Sequence, residues 1–404
     1  MINNIFKEQD FIKDFPALSK MIDGTKVTYL DNAATTLKPV SMVNAVNEYY
    51  LGISTNVHRG KSYSLEEVSN RYEQCRYAVA ELLSCSGNEV VFTRNTTEGV
   101  NLVANGLEFD EGDKILVSSD SHHSNFLPWM RQAQLLTVRT RNDGSLDLDH
   151  YYELLQLNPK LVAINHCSNV TGVYQPIEPM LRAAKEVGAI TFVDAAQSIP
   201  HRRVNVTQLE VDFLTFSAHK MLGPTGIGIL FGRQAMLNNL QPLNLGGGMV
   251  NWVEKDSYDL RKIPHRHEAG TPHIAGAYGL SAAIEYIQNL GLEAMESHDK
   301  SMGQHMLDLA LERDYLRVIN SAPNLDRGAV LSFQIPGLSE LDDIARILSD
   351  SYGIICRNGH LCAQPYVDEH SEGQVLRISA YVYNSEKDVS RFFSCLDELQ
   401  GVMF

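Results

Sequence analysis

The sequence predicts an α/β protein, with a large domain on a mostly parallel central sheet and a smaller C-terminal α+β domain. Between residues 89 and 232, short β-branched runs alternate with helical patterns, the signature of βα units. After about residue 275 the pattern changes to two long helical stretches and then a shorter mixture of strands and helices. The 404 residues also exceed one ordinary core. The expected division is an N-terminal segment, 1–25, packing on the small domain, a large domain, 26–285, and a small domain, 286–404.

The expected strands of the central sheet are EVVFT (89–93), KILVSS (114–119), LVAINH (161–166), AITFVD (189–194), DFLTFS (212–217) and IGILFG (227–232). Helices such as TEGVNLVANGL and IEPMLRAAKEVG fall between several of them. The second region opens with AGAYGLSAAIEYIQNLG and LEAMESHDKSMGQHMLDLALERD. The last helix begins at a capping box, Ser385-x-x-Asp388, and continues with Val389, Phe392, Phe393, Leu396 and Leu399 at helical spacing.

Composition narrows the class. A 44% hydrophobic and 21% charged chain is that of a globular protein. The net charge of -15 argues against nucleic acid as a partner, since phosphates need a basic surface. No apolar run approaches the roughly 18 residues of a membrane span, and the start mixes both charge signs without an apolar leader, so a cytoplasmic protein is expected. The six cysteines are scattered without C-x-x-C spacing, which points to reduced thiols and to no zinc site.

Ligands of open α/β sheets bind at the carboxyl ends of the strands, so the polar residues that follow each apolar run are the informative ones. Four groups stand out: Asn95-Thr96-Thr97 before a helix, Asp194 with Gln197 after a fully apolar strand, Ser217, His219 and Lys220 after another, and His122-His123 after a fourth. Singly, each has an ordinary explanation as a helix cap, a solvated lysine or a core histidine. Together they are the parts that hold pyridoxal phosphate. A lysine amine forms a Schiff base, a strand-end carboxylate pairs with the pyridinium, a helix start suits the phosphate, and an imidazole stacks on the ring.

The segments YLDNAATTLKP, NVHRG, TRNTTEGVNLVANG, SNVTG, VDAAQS, SAHKMLGPTGIGILFG, LGGGMV, EAGTP and RNGHLCAQP occur in this order over nearly the whole chain. In this the chain resembles the group II cysteine desulfurases, which share fold type I of the pyridoxal phosphate enzymes with aminotransferases and include selenocysteine lyase-like members. The resemblance implies that Lys220 is the covalent anchor of the cofactor, Asp194 the pyridinium partner and His122 the stacking residue. Gln197 would meet the phenolic oxygen, and Thr96, Thr97, Ser217 and His219 the phosphate, joined by Thr271 from the other subunit of a homodimer. Asn169 and Arg377 would bind substrate, Arg377 as the fork for the carboxylate. His58 of NVHRG and Arg357 of RNGHLCAQP are further substrate-site candidates.

Pyridoxal phosphate alone fixes no reaction. Cys362 lies in a glycine-containing loop with Arg357 and His360 close in sequence, and nearby cations favour a thiolate. Loop context and resemblance together make Cys362 the sulfur acceptor, with Lys220 and His122 as the other catalytic residues. Cys75, Cys85, Cys167 and Cys395 are expected in the core, and Cys356 in a buried strand. The implied reaction converts L-cysteine to L-alanine and leaves a persulfide on Cys362, for delivery to a sulfur-acceptor protein in iron–sulfur cluster assembly or related sulfur traffic. L-selenocysteine is the alternative substrate. Two other readings stay open: a lyase, epimerase or aminotransferase of the same fold, and a non-catalytic cofactor-binding module.

Overall fold

Seven short runs of β-branched and aromatic residues pair into one sheet in the computed structural model, which describes residues 6, 11–22, 24–58, 60–141, 143, 145–322 and 324–403. They are β1 (Val90–Thr93), β2 (Lys114–Ser118), β3 (Gln134–Val138), β4 (Leu161–Asn165), β5 (Ile190–Asp194), β6 (Phe213–Ser217) and β7 (Gly228–Gly232). The order across the sheet is β1-β7-β6-β5-β4-β2-β3, and β2 to β6 are mutually parallel. β7 runs antiparallel to both neighbours, so the short loop 218–227 joins it to β6 where a parallel strand would need a crossover.

Alternate side chains serve two cores. Val90, Leu116, Val162, Ile164, Val193, Phe216 and Ile229 face one apolar cluster, and Val91, Ile115, Val117, Leu161, Phe192 and Leu230 face the other. A sheet covered on both faces reads as continuous apolar runs, which is why six of these strands were visible in the sequence. β3 was not, because QLLTV lies at the sheet edge with only its last residue buried.

Helices α1 (Val40–Leu51), α2 (Tyr63–Leu83) and α5 (Ile274–Leu290) pack together beside the first cluster. Helices α3 (Thr96–Gly106) and α4 (Ile177–Glu186) flank the sheet. A second, antiparallel sheet contains β8 (Arg317–Val318), β9 (Val330–Gln334), β10 (Arg357–Gly359) and β11 (Val375–Ser379) in the order β8-β9-β11-β10. Its own apolar cluster is closed by α6 (Leu292–Leu311), α7 (Asp342–Tyr352) and α9 (Glu386–Met403). At the start of α9 the Ser385 amide donates to the Asp388 carboxylate at 2.8 Å, and Val389, Phe392, Phe393 and Leu396 are fully buried.

Of segment 1–25, residues 1–5, 7–10 and 23 lie outside the described residues, as does Arg59 of the NVHRG motif. The described part sends Phe11, Phe15 and Leu18 into the first cluster, where the Phe15 ring meets Tyr286 of α5 and Tyr383 beyond β11. Among the described residues no helix is long and apolar enough to cross a membrane.

Candidate active site

The carboxyl ends of β2, β4, β5 and β6, the start of α3 and the loop after β10 meet around one cleft of about 280 Å³. Thr96, Thr97, His122, Asn169, Asp194, Gln197, Ser217, His219, Lys220, Arg357, Cys362 and Arg377 all line it, although they come from across 282 residues of chain (96 to 377). Asp194 is the one carboxylate among the described lining residues.

At one end lies the start of α3. Asn95 caps it, its Oδ1 accepting from the Glu98 amide at 3.0 Å. Ser217 Oγ accepts from the buried Thr96 amide at 2.8 Å and shares a hydrogen bond with Thr96 Oγ1 at 2.7 Å. Thr97 Oγ1 sits 2.7 Å from Ser124 Oγ. A Cβ on Gly228 would come within 2.7 Å of Asn95 Cα, so only glycine lets β7 lie this close to the helix start. Hydroxyls and a helix start, with the first-turn Glu98 carboxylate turned onto Arg94 at 2.9 Å and outside the cleft lining, make this end suit a phosphate.

In the middle of the cleft, His122 Nδ1 accepts from the Ser124 amide at 3.1 Å. Burial, then Lys220, pushes the His122 pKa down to about 3, so the ring is neutral and carries its proton on Nε2. A neutral imidazole suits a ring stack. Burial likewise takes His219 down to about 4. Asp194 is buried with Oδ1 accepting from the Ala196 amide at 2.9 Å, and burial raises its pKa. Burial lowers Lys220 to about 8, offset in part by Asp194. A buried carboxylate beside a suppressed amine is the donor set that a protonated pyridine would complete, because a cation there relieves the cost of burying Asp194. Gln197 Nε2 donates to Ala33 O at 2.8 Å.

The other end belongs to two arginines and a cysteine. Arg377 is buried; its Nη1 donates to Asn169 O and its Nη2 to Asp31 Oδ1, both at 3.0 Å, while Nε has no partner among the described residues. Arg357 donates to the other oxygen of Asp31 at 2.7 Å. Asp31, inside YLDNAATTLKP, is therefore a shared counter-ion that sequence reasoning missed. Its signal was an acidic residue between apolar and small ones. Of the two basic side chains expected beside the thiol, Arg357 pairs with Asp31 while lining the cleft with Cys362 and interacting with it electrostatically, and His360 Nε2 lies 3.3 Å from Asp368, away from the cleft lining. Asn169 spends its amide on Leu361 O at 2.8 Å.

Cys362 is the exposed cysteine of the six, flanked by buried Leu361 and Ala363 in a small apolar cluster. Burial pushes the thiols of Cys75, Cys85 and Cys356 up to about 12. Cys167, expected in the core, is buried yet lines the cleft, and burial raises its thiol as well.

His58 and Thr271 do not reach this cleft. They line a separate cavity of about 320 Å³ with Gly247 and Gly248 of LGGGMV. His58 Nε2 lies 3.2 Å from Glu73, and Thr271 Oγ1 accepts from Asn56 at 3.2 Å. His58, Glu73 and His265 come close together, but Arg76 donates to both oxygens of Glu73, at 2.8 and 3.2 Å, which makes the group an ion-pair network.

Residues 28–392 match the aminotransferase class-V family model. A probable cysteine desulfurase of Streptomyces coelicolor is 38% identical over 403 residues, 96% of each chain. The cysteine desulfurase of Thermococcus onnurineus has a solved apo structure with a TM-score of 0.92 at 39% identity, covering 98% of both chains. That of Escherichia coli gives a TM-score of 0.89 at 33% identity over 99% of this chain and 100% of its own.

Proposed function

The chain belongs to the aminotransferase class-V family, and we propose that it is a pyridoxal phosphate-dependent cysteine desulfurase. The observation that carries this reading is an exposed thiol, Cys362, at the mouth of the cleft that holds Lys220 and Arg377. A merely cofactor-binding module needs no such thiol.

When bound, the cofactor supplies an electron sink for the substrate's Cα. Lys220 would anchor it, Asp194 would pair with its ring nitrogen, His122 would cover its face, and Thr96, Thr97, Ser217 and His219 would meet its phosphate. Arg377 Nε, buried and unpartnered among the described residues, supports a role in gripping the substrate carboxylate, with Arg357 at the outer edge. Lys220 Nζ, whose pKa of about 8 leaves a useful neutral fraction near pH 7, would take the Cα proton. The Cys362 thiolate then attacks the substrate sulfur. The S–S bond forms as the C–S bond breaks, the C–S electron pair stays with carbon, and protonation at Cβ completes alanine. The balance is Cys362–SH plus L-cysteine giving Cys362–S–SH plus L-alanine. An exposed persulfide is suited to transfer its outer sulfur to an acceptor protein, in a reducing compartment such as the cytoplasm. Thr271 and His58, in their separate cavity, would complete the cleft of a second subunit.

Cys362→Ala tests the assignment. It is expected to keep the cofactor's visible absorbance and Cα-proton exchange with L-cysteine, while losing most alanine production. Wild-type alanine yield from this variant would make the thiol incidental and favour another lyase chemistry.

A further inference from the structure

We propose that His123 is a positioning residue that holds the turn carrying Cys362 in its attacking geometry; this rests on the cysteine desulfurase reading. Leu361 and Cys362 both have positive φ, 54° and 55°, a region that residues with a side chain adopt mainly when outside contacts impose it. The turn closes on itself through the Ala363 amide, which donates to His360 O at 2.9 Å, and three hydrogen bonds from outside fix it in place. The His123 amide donates to Cys362 O at 2.7 Å, Asn169 Nδ2 donates to Leu361 O at 2.8 Å, and the Gln364 amide donates to His123 Nε2 at 3.2 Å.

His123 therefore grips the turn just after the carbon that bears the sulfur, with its main chain on the carbonyl of Cys362 and its imidazole on the amide two residues later, while Asn169 holds the residue before it. Accepting at Nε2 puts the imidazole proton on Nδ1. The imidazole's contact has no local side-chain substitute: Gln364 opens α8 (Gln364–His370), and the residue before it, Ala363, offers no side-chain cap. His123 also follows His122 directly, so the turn that presents the thiol is tied by one peptide bond to the residue in the stacking position. His123 itself does not line the cleft. Its imidazole thus bears on where the thiol sits and leaves the cofactor contacts alone. A thiol that drifts by about an ångström from its line of attack loses much of its rate.

The test uses the holoenzyme and two variants, His123→Leu, which removes the acceptor, and His123→Gln, whose side-chain oxygen can replace it. His123→Leu is expected to keep the cofactor's visible absorbance, the Cα-proton exchange and the KM for L-cysteine. Single-turnover persulfide formation on Cys362 should slow roughly tenfold, the effect of about one lost hydrogen bond, and amide exchange of peptide 359–365 should quicken. His123→Gln should restore both to within about twofold. Three results would overturn the proposal: wild-type persulfide formation and amide exchange in His123→Leu, an equal loss in both variants, or loss of the cofactor absorbance. If the wild-type enzyme forms no persulfide, the desulfurase reading fails, and the amide exchange still decides whether His123 holds the turn.

Discussion

The rate at which cofactor-free protein takes up pyridoxal phosphate should depend on pH through Lys220. Covalent capture needs a neutral amine. Burial lowers the Lys220 pKa from 10.5 to about 8, and because the suppressed form is the charged one, the neutral fraction grows with pH and saturates above about 8. At pH 7 about one amine in ten is neutral, against about one in three thousand for an ordinary lysine, a roughly 300-fold gain. The assay is stopped-flow mixing with pyridoxal phosphate from pH 6 to 10, following the visible band. The rate should climb about tenfold between pH 6 and 7 and flatten above 8. In Asp194→Asn the midpoint should move lower, because Asp194 is the neighbour that raises the Lys220 pKa most. A rate that keeps rising about tenfold per unit through pH 10 would refute the argument.

Asp31→Asn strips the counter-ion from two arginines, and Arg377, only 3% exposed, would retain neutral acceptors alone, the Asn169 carbonyl and an amide oxygen at position 31. Removing one partner of a buried ion pair costs about 3–5 kcal/mol, so the thermal unfolding midpoint should fall clearly and the KM for L-cysteine should rise; a stability change below about 1 kcal/mol would show that the pair is dispensable. Because Thr271 lies outside the cleft of its own chain, sedimentation at assay concentrations should give a dimer, and a fully active monomer would contradict its role at a neighbouring subunit's phosphate.

Much of this site was legible because a parallel strand buried on both faces announces itself, and its carboxyl end then marks a functional position. The strand ends led in this way to Asp194 and Lys220, which line the cleft, and His122 likewise follows the run of β2. What stayed hidden depends on contacts far apart in the chain. The Asp31–Arg377 pair joins residues 346 positions apart, and nothing near Asp31 reveals its partner. Ser124 and Cys167 reach the cleft through turns whose direction no local pattern encodes. His123 looked like a helix cap or a core histidine because its partners, Cys362 and Gln364, arrive from the loop after β10 and the start of α8. Of the two basic residues close to Cys362 in sequence, Arg357 shares the cleft with the thiol, but His360 turns to Asp368, since proximity along the chain does not fix where a side chain points. β3 was missed because an edge strand buries little of either face.

The most direct measurement is the mass of the Cys362 peptide after incubation of the wild-type holoenzyme with L-cysteine, before and after a reductant, with alanine quantified in the same sample. The expected result is one added sulfur on Cys362, removed by the reductant, and one alanine for each persulfide in the first turnover. Alanine formed at full rate with no added sulfur on Cys362 would contradict the assignment of this thiol as the sulfur acceptor.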